Sequence, residues 1–203
     1  MTGEDVRLFG SVFVTLFVIM DPPGTIPVFL GLTGGRTVAH RRRVAWQAAL
    51  VSFAVIVLFA LFGQTILDYL HITLPALQAA GGLLLLLVAL ELLTGKEDEA
   101  RQSGDVNVAL VPLGTPLLAG PGAIVATMVF VQRMEDVGDG LAIAAGIVAV
   151  HVALWLSMRF SVSILRVIRE SGVLLVTRVA GLLLSAIAVQ LVADAVRAFI
   201  QEG

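Results

Sequence analysis

The densest chemistry in the chain lies in "MDPPGTIP" at 20–27, where Asp21 stands beside Pro22, Pro23, Gly24, Thr25 and Pro27 inside an otherwise apolar run. A proline removes a backbone donor and clashes with the carbonyl four residues earlier, and glycine loosens the backbone, so no continuous α-helix passes through. Such an interruption exposes the carbonyl end of one half-helix next to the N–H end of another. Together they can hold the ammonium and carboxylate of a small zwitterion. "AGPGAI" at 119–124, with "PLGTP" before it at 112–116, offers the same device a second time through Ala119, Gly120, Pro121, Gly122 and Ala123.

Asp21 has two compatible roles. As an N-cap it would start a half-helix at Pro22, a first position that suits proline. As an acid about thirteen residues into an apolar span it costs roughly 2.5–3.5 kcal/mol on insertion scales. That cost points to a proton or cation site, or to a partner for a substrate ammonium. Gln78 and Gln190 can donate and accept hydrogen bonds, so each could line a cavity or join two helices. Glu91 reads as interfacial, Asp194 and Arg197 as an i,i+3 pair, His151 as a hydrogen-bonded packing residue, and Arg178 as a snorkelling cation that could also reach a substrate carboxylate. Ala76/Ala80 and Gly181/Ser185 have the small-xxx-small spacing of close helix contacts.

The elements that must position these residues follow from composition. Of 203 residues, 58% are hydrophobic and 14% charged, with a mean hydropathy of +0.99, which describes an integral membrane protein and no soluble domain. A span takes roughly 20 apolar residues. Six are expected, at about 8–33 (interrupted), 44–67, 72–94, 107–132 (interrupted), 141–160 and 175–199, forming a single membrane domain over 1–203. Glu4 and Asp5 precede the first span in place of a basic region, so a removable signal peptide is not expected. The absence of cysteine excludes disulfides, thiolate metal sites and cysteine nucleophiles.

Basic residues in short loops orient such a chain. With the termini outside, the inner side carries Arg36, Arg41, Arg42, Arg43, Lys96, Arg101, Arg159, Arg166, Arg169 and Arg178, while the outer side carries Arg7, Arg133 and Arg197. This imbalance places both termini outside the cytoplasmic membrane. Trp46 and Trp155 then fall near the inner interface, as amphipathic anchors.

The halves resemble each other. "PPGTI" at 22–26 aligns with "GPGAI" at 120–124 at an offset of 98, and "GLLLLLVALEL" at 82–92 aligns with "GLLLSAIAVQL" at 181–191 at an offset of 99. Repeat one covers about 8–94 and repeat two about 107–199. With three spans each, the second copy enters the membrane inverted. Inverted repeats with broken first helices are an architecture of secondary transporters.

Taken together, "DPPGTIP", "AGGLLLL", "PLGTPLLAGPGAI" and "RVAGLLLSAIAVQ" resemble the MarC family of small six-span prokaryotic membrane proteins, also called the neutral amino acid transporter family. The resemblance covers nearly the whole chain. It implies transport of glycine, alanine and similar neutral amino acids, and carries site roles to Asp21, Pro22, Gly24, Pro27, Ala119, Gly120, Pro121, Gly122, Ala123 and Gln190. This chain departs from the family pattern at Thr25, where many members have asparagine, and at Val125 and Ala126, where serine and threonine are common.

The expected function is therefore secondary transport of a small neutral amino acid, with H⁺ or Na⁺ as a possible coupling ion and the lipid bilayer as surroundings. A passive channel or exporter for other small solutes, or a non-transporting membrane scaffold, is the alternative. No cofactor, no metal and no nucleic-acid partner are expected, and the sequence carries no signal for an oligomeric state. An intramembrane enzyme would need paired carboxylates, a serine with a base or a metal cluster at depth, and none is spaced for it. "VGDG" at 137–140 falls in an expected outer loop without a partner aspartate at depth.

Overall fold

A computed structural model describes residues 3–94 and 118–202, and these carry seven helices and no strand. They are α1 (Gly3–Met20), α2 (Thr25–Leu32), α3 (Val38–Leu70), α4 (Leu74–Thr94), α5 (Pro121–Gln132), α6 (Val137–Arg159) and α7 (Ser161–Glu202). Four stretches are long and apolar enough to cross a bilayer: α3, α4, α6 and Ser171–Gln201 of α7. The α1–α2 pair makes a fifth if counted as one span, bent by 47° at its break. At 12 residues and 1.5 Å of rise each, α5 is too short to span alone. "PLGTP" and the rest of the expected fourth span before Leu118 lie outside the described residues.

Several boundaries differ from expectation, for local reasons. The segment "TVAHRRRV", expected as a connection, is already helical because Thr37 caps α3 by accepting the His40 N–H at 3.2 Å. The arginines therefore ride on the first turns of α3. "DYL" belongs to its last turn, which ends where His71 turns left-handed (φ 55) and donates its N–H to Asp68 O. "VGDG" is the first turn of α6, capped by Asp136, which accepts from Asp139 N–H at 2.9 Å. "RVIRESG" is helical too, apart from a kink at Arg169 (φ 62, ψ 166) inside α7.

The outside of the bundle is apolar. Leu61, Leu87, Leu175 and Leu182 are all more than half exposed, as expected where hydrocarbon surrounds the helices. The interior sets small residues, Ala45, Ala48, Ala49, Ala119, Ala123 and Ala126, among larger ones such as Leu16, Phe29 and Leu154. Small side chains let backbones approach, which drives helix association where no hydrophobic effect operates.

Helix pairing runs mainly between the two halves of the chain. The most extensive contact joins α4 to α7, followed by α1 with α6, α3 with α6, and α5 with both α3 and α4. The α4–α7 contact is made twice with roles exchanged. A Cβ on Gly82 would lie 2.8 Å from Ala188 O, and one on Gly181 would lie 3.4 Å from Ala89 O. Each half of this reciprocal contact is 99 residues from the other, and it requires α4 and α7 to run antiparallel. Trp46 of α3 and Trp155 of α6 meet edge to face, with centroids 6.2 Å apart.

Candidate functional site at the broken helices

The break after α1 follows from missing donors. Pro22 and Pro23 have no N–H to offer the carbonyls of Val18 and Ile19. The Asp21 N–H still closes the last turn of α1 on Phe17 O at 3.1 Å. Asp21 then adopts φ 39, a left-handed conformation that aspartate tolerates better than most residues. Its buried side chain folds forward, so that Oδ1 accepts the Gly24 N–H at 3.2 Å. Regular helix resumes only at Thr25, three residues later than an N-cap at Asp21 would give, after Pro22, Pro23 and the observed cap position Gly24.

Gly24 is required here by space. Its φ of −67° suits any residue, yet a Cβ would collide with the Asp21 carboxylate and sit 3.0 Å from Thr177 Oγ1. Thr177 comes from α7, is buried, and has no hydrogen-bond partner for its hydroxyl among the described residues. Asp21, Gly24 and Thr177 therefore converge on one small volume at the break.

The other expected residues divide. Pro22 and Thr25 are buried and Pro23 is half-buried, but the Thr25 hydroxyl is committed to Pro22 O at 2.7 Å, so it closes the turn instead of facing a ligand. Pro27 is exposed. At the second expected break, Gly120 in extended conformation (ψ 163) caps α5, which begins with Pro121. Its carbonyl accepts from Ala123 N–H at 3.0 Å and Ile124 N–H at 3.2 Å. Ala119 and Ala123 lie in the same buried cluster as Met20 and Phe29, which flank the first break. A Cβ on Gly122 would run into Leu85 of α4. Gln78 is buried on the face of α4 that carries Gly81 and Leu85 against α5.

Gln190 does not join them. It is exposed on α7 and donates to Asp194 Oδ1 at 2.8 Å, while Asp194 also lies 3.8 Å from Arg197. Four residues along a helix bring an amide and a carboxylate together on one face, and here that face is the outer one. His151 is a packing residue: Nδ1 meets Ile147 O at 2.7 Å, Nε2 meets Ser52 Oγ at 3.3 Å, and the Phe53 ring stands edge-on to it.

Two buried hydroxyls escaped the sequence reading, Thr177 and Thr127, and neither has a hydrogen-bond partner among the described residues. A signal existed for the first. The offset of 99 that aligns 82–92 with 181–191, continued four residues toward the N-terminus, sets Thr177 over Gln78. A further group, Asp5, Asp136 and Asp139, brings carboxylate oxygens within 4.8 Å of one another. Asp136 and Asp139 accept backbone N–H groups of Asp139 and Glu135 there, which accounts for their placement as helix caps.

An all-helical bundle with an apolar exterior and a buried carboxylate at a broken span defines a multi-pass integral membrane protein. The chain belongs to the MarC family: it matches the MarC family of integral membrane proteins over residues 6–200. It is 38% identical over 201 residues to a UPF0056 membrane protein of Methanocaldococcus jannaschii, covering 95% of this chain and 98% of that one. It is 33% identical over 190 residues to the UPF0056 membrane protein YvbG of Bacillus subtilis, covering 89% and 90%. With the UPF0056 membrane protein YhcE of Escherichia coli it shares 31% identity over 205 residues, covering 97% and 95%. No solved structure matches the chain.

Proposed function

We propose that the protein is a secondary transporter of small neutral amino acids in the cytoplasmic membrane, with both termini outside, and that it is not an enzyme. Its site lies between the two broken helices. The observation that carries this reading is the Asp21 carboxylate, buried at the interruption of a span with Gly24 N–H bound to it. A carboxylate at membrane depth is costly, and such residues mark ion or substrate paths by default.

The six-span inverted repeat is part of the proposal. The reciprocal Gly82–Ala188 and Gly181–Ala89 contacts support it, since two copies related by a two-fold axis touch through the same residue pair twice. Helix pairing between the halves supports it as well, because two repeats that rock against each other must meet along a shared interface.

Uptake of labelled glycine and alanine into proteoliposomes tests the reading. Saturable accumulation driven by an ion gradient, and lost in Asp21→Asn with normal insertion, is expected. Downhill flux alone would make the protein a channel, and no flux of any neutral amino acid would end the transport assignment.

A further inference from the structure

We propose that the cleft where α3, α6 and α7 meet is a binding site for a phosphate group held at the headgroup level of the membrane, with Arg41, Arg42, Arg159 and the Ser161 hydroxyl as its ligands. It uses none of the residues at the broken helices and does not depend on the transport reading.

The cleft has a volume of about 310 Å³, at the lower end of the range of small-ligand pockets. Three guanidinium groups line it, and no described carboxylate does. None of the three is ion-paired with another described residue. Arg159 lies instead over the Phe160 ring, 5.3 Å from its centroid. Ser161 is 3% exposed and lines the same cleft, and its hydroxyl makes no hydrogen bond to another described residue. A buried hydroxyl is costly until a partner meets it.

The cations also stand at the wrong end of a helix for stability. Both α3 and α7 begin at this cleft, whose walls include their first residues, Val38 and Ser161. The positive pole of a helix dipole favours acids and disfavours bases. Neither first turn holds an acid, and α3 places Arg41 and Arg42 directly after its own. An anion bound between the two helix starts would offset the guanidinium charge and both dipoles together. Guanidinium forks match phosphate oxygens in pairs, and a serine O–H can donate to a further one.

The depth of the cleft indicates what carries the phosphate. Trp46 and Trp155, which meet edge to face, stand four residues from Arg42 and Arg159 respectively, about 6 Å along their helices. Indoles collect at the boundary between hydrocarbon and headgroups. The cleft therefore opens at the level of the lipid phosphates. Val38, Phe160 and Val162 are exposed beside the arginines, which favours an anionic phospholipid over free phosphate.

The test melts the full-length protein in a neutral detergent with phosphatidylglycerol or phosphatidylcholine added, and with sodium phosphate against sodium chloride at equal ionic strength. Native mass spectrometry counts bound lipid. Binding of and stabilisation by phosphatidylglycerol, with no effect of phosphatidylcholine, are expected. Apparent affinity should fall about tenfold or more in Arg41→Gln/Arg42→Gln, and by less in Arg41→Lys/Arg42→Lys, which keeps the charge and loses the planar fork. Ser161→Ala should weaken binding at unchanged charge, while Arg197→Gln, at the far end of α7, should bind as the original does. Size-exclusion profiles confirm folded variants. A selective response to phosphatidylglycerol makes a lipid the carrier, and a response to inorganic phosphate alone makes it a soluble anion; either upholds the site. Indifference to both, or undiminished binding in the folded arginine variants, would overturn it.

Discussion

Ser52 Oγ lies 3.3 Å from His151 Nε2, and the two residues are 99 positions apart in the chain. Gly82 and Gly181 are separated by the same interval. In an inverted repeat, a hydrogen bond between equivalent positions falls on the axis relating the halves. Ile147 O can only accept, so Nδ1 carries a proton toward it, and in the matching neutral tautomer Nε2 accepts from Ser52.

Ser52→Ala should therefore strand a buried acceptor where α3 meets α6. The expected loss is about 1–3 kcal/mol, seen as a lower melting temperature in detergent, while uptake stays near the original rate. A large uptake defect at unchanged stability would give this pair a role in transport.

The two glycines of the α4–α7 contact should differ in tolerance. A Cβ on Gly82 would meet Val192 Cγ2 at 2.7 Å and Ala188 O at 2.8 Å, whereas on Gly181 its nearest neighbour is Leu92 Cβ at 3.1 Å. Gly82→Ala is expected to destabilise by about 1–3 kcal/mol and Gly181→Ala by clearly less. Parallel thermal melts check the order.

Gly24→Ala should abolish uptake without preventing insertion. The helix-compatible φ of Gly24 excludes a backbone cause, so the whole effect comes from displacing the Asp21 carboxylate and Thr177. Uptake above about a tenth of the original, a loss of under ~1.4 kcal/mol in transition-state terms, would contradict this.

Gln78 and Gln190 separate by position. Gln190→Ala is expected to leave uptake unchanged, since its amide is exposed and bound to Asp194. Gln78→Ala, buried on the face of α4 against α5, should raise the KM for substrate several-fold. Concentration series on both variants decide it.

Because the chain has no cysteine, single introduced cysteines report orientation cleanly. With the termini outside, Met134→Cys in the α5–α6 connection should react with an impermeant maleimide in intact cells. Arg42→Cys should react only after lysis. The opposite pattern would invert the proposed topology.

The first break was legible because proline acts through an absent atom: two missing N–H groups interrupt a helix whatever surrounds it. The place of Asp21 at that break was legible from the prolines that follow it. Thr177 was obscured because one hydroxyl in an apolar helix gives no hint of which neighbour it faces. Gln190 misled for the complementary reason: its place in a repeated motif could not reveal that it points outward to Asp194. Helix ends were misjudged where polarity was taken for a loop, as at Arg41–Arg43, although arginine is a good helix former and Thr37 supplies the cap.

The preference of each helix for partners from the other half has a consequence for biogenesis. Among the described residues, the weakest of the substantial helix pairings are α6 with α7 and α5 with α6, the two that lie within one half. Helices α1–α4 thus leave the ribosome before most of their permanent neighbours exist, and must wait in the bilayer as loosely associated segments. Such an intermediate is the stage at which membrane quality control can intervene, and the commitment to a mature fold comes only when the last helices arrive.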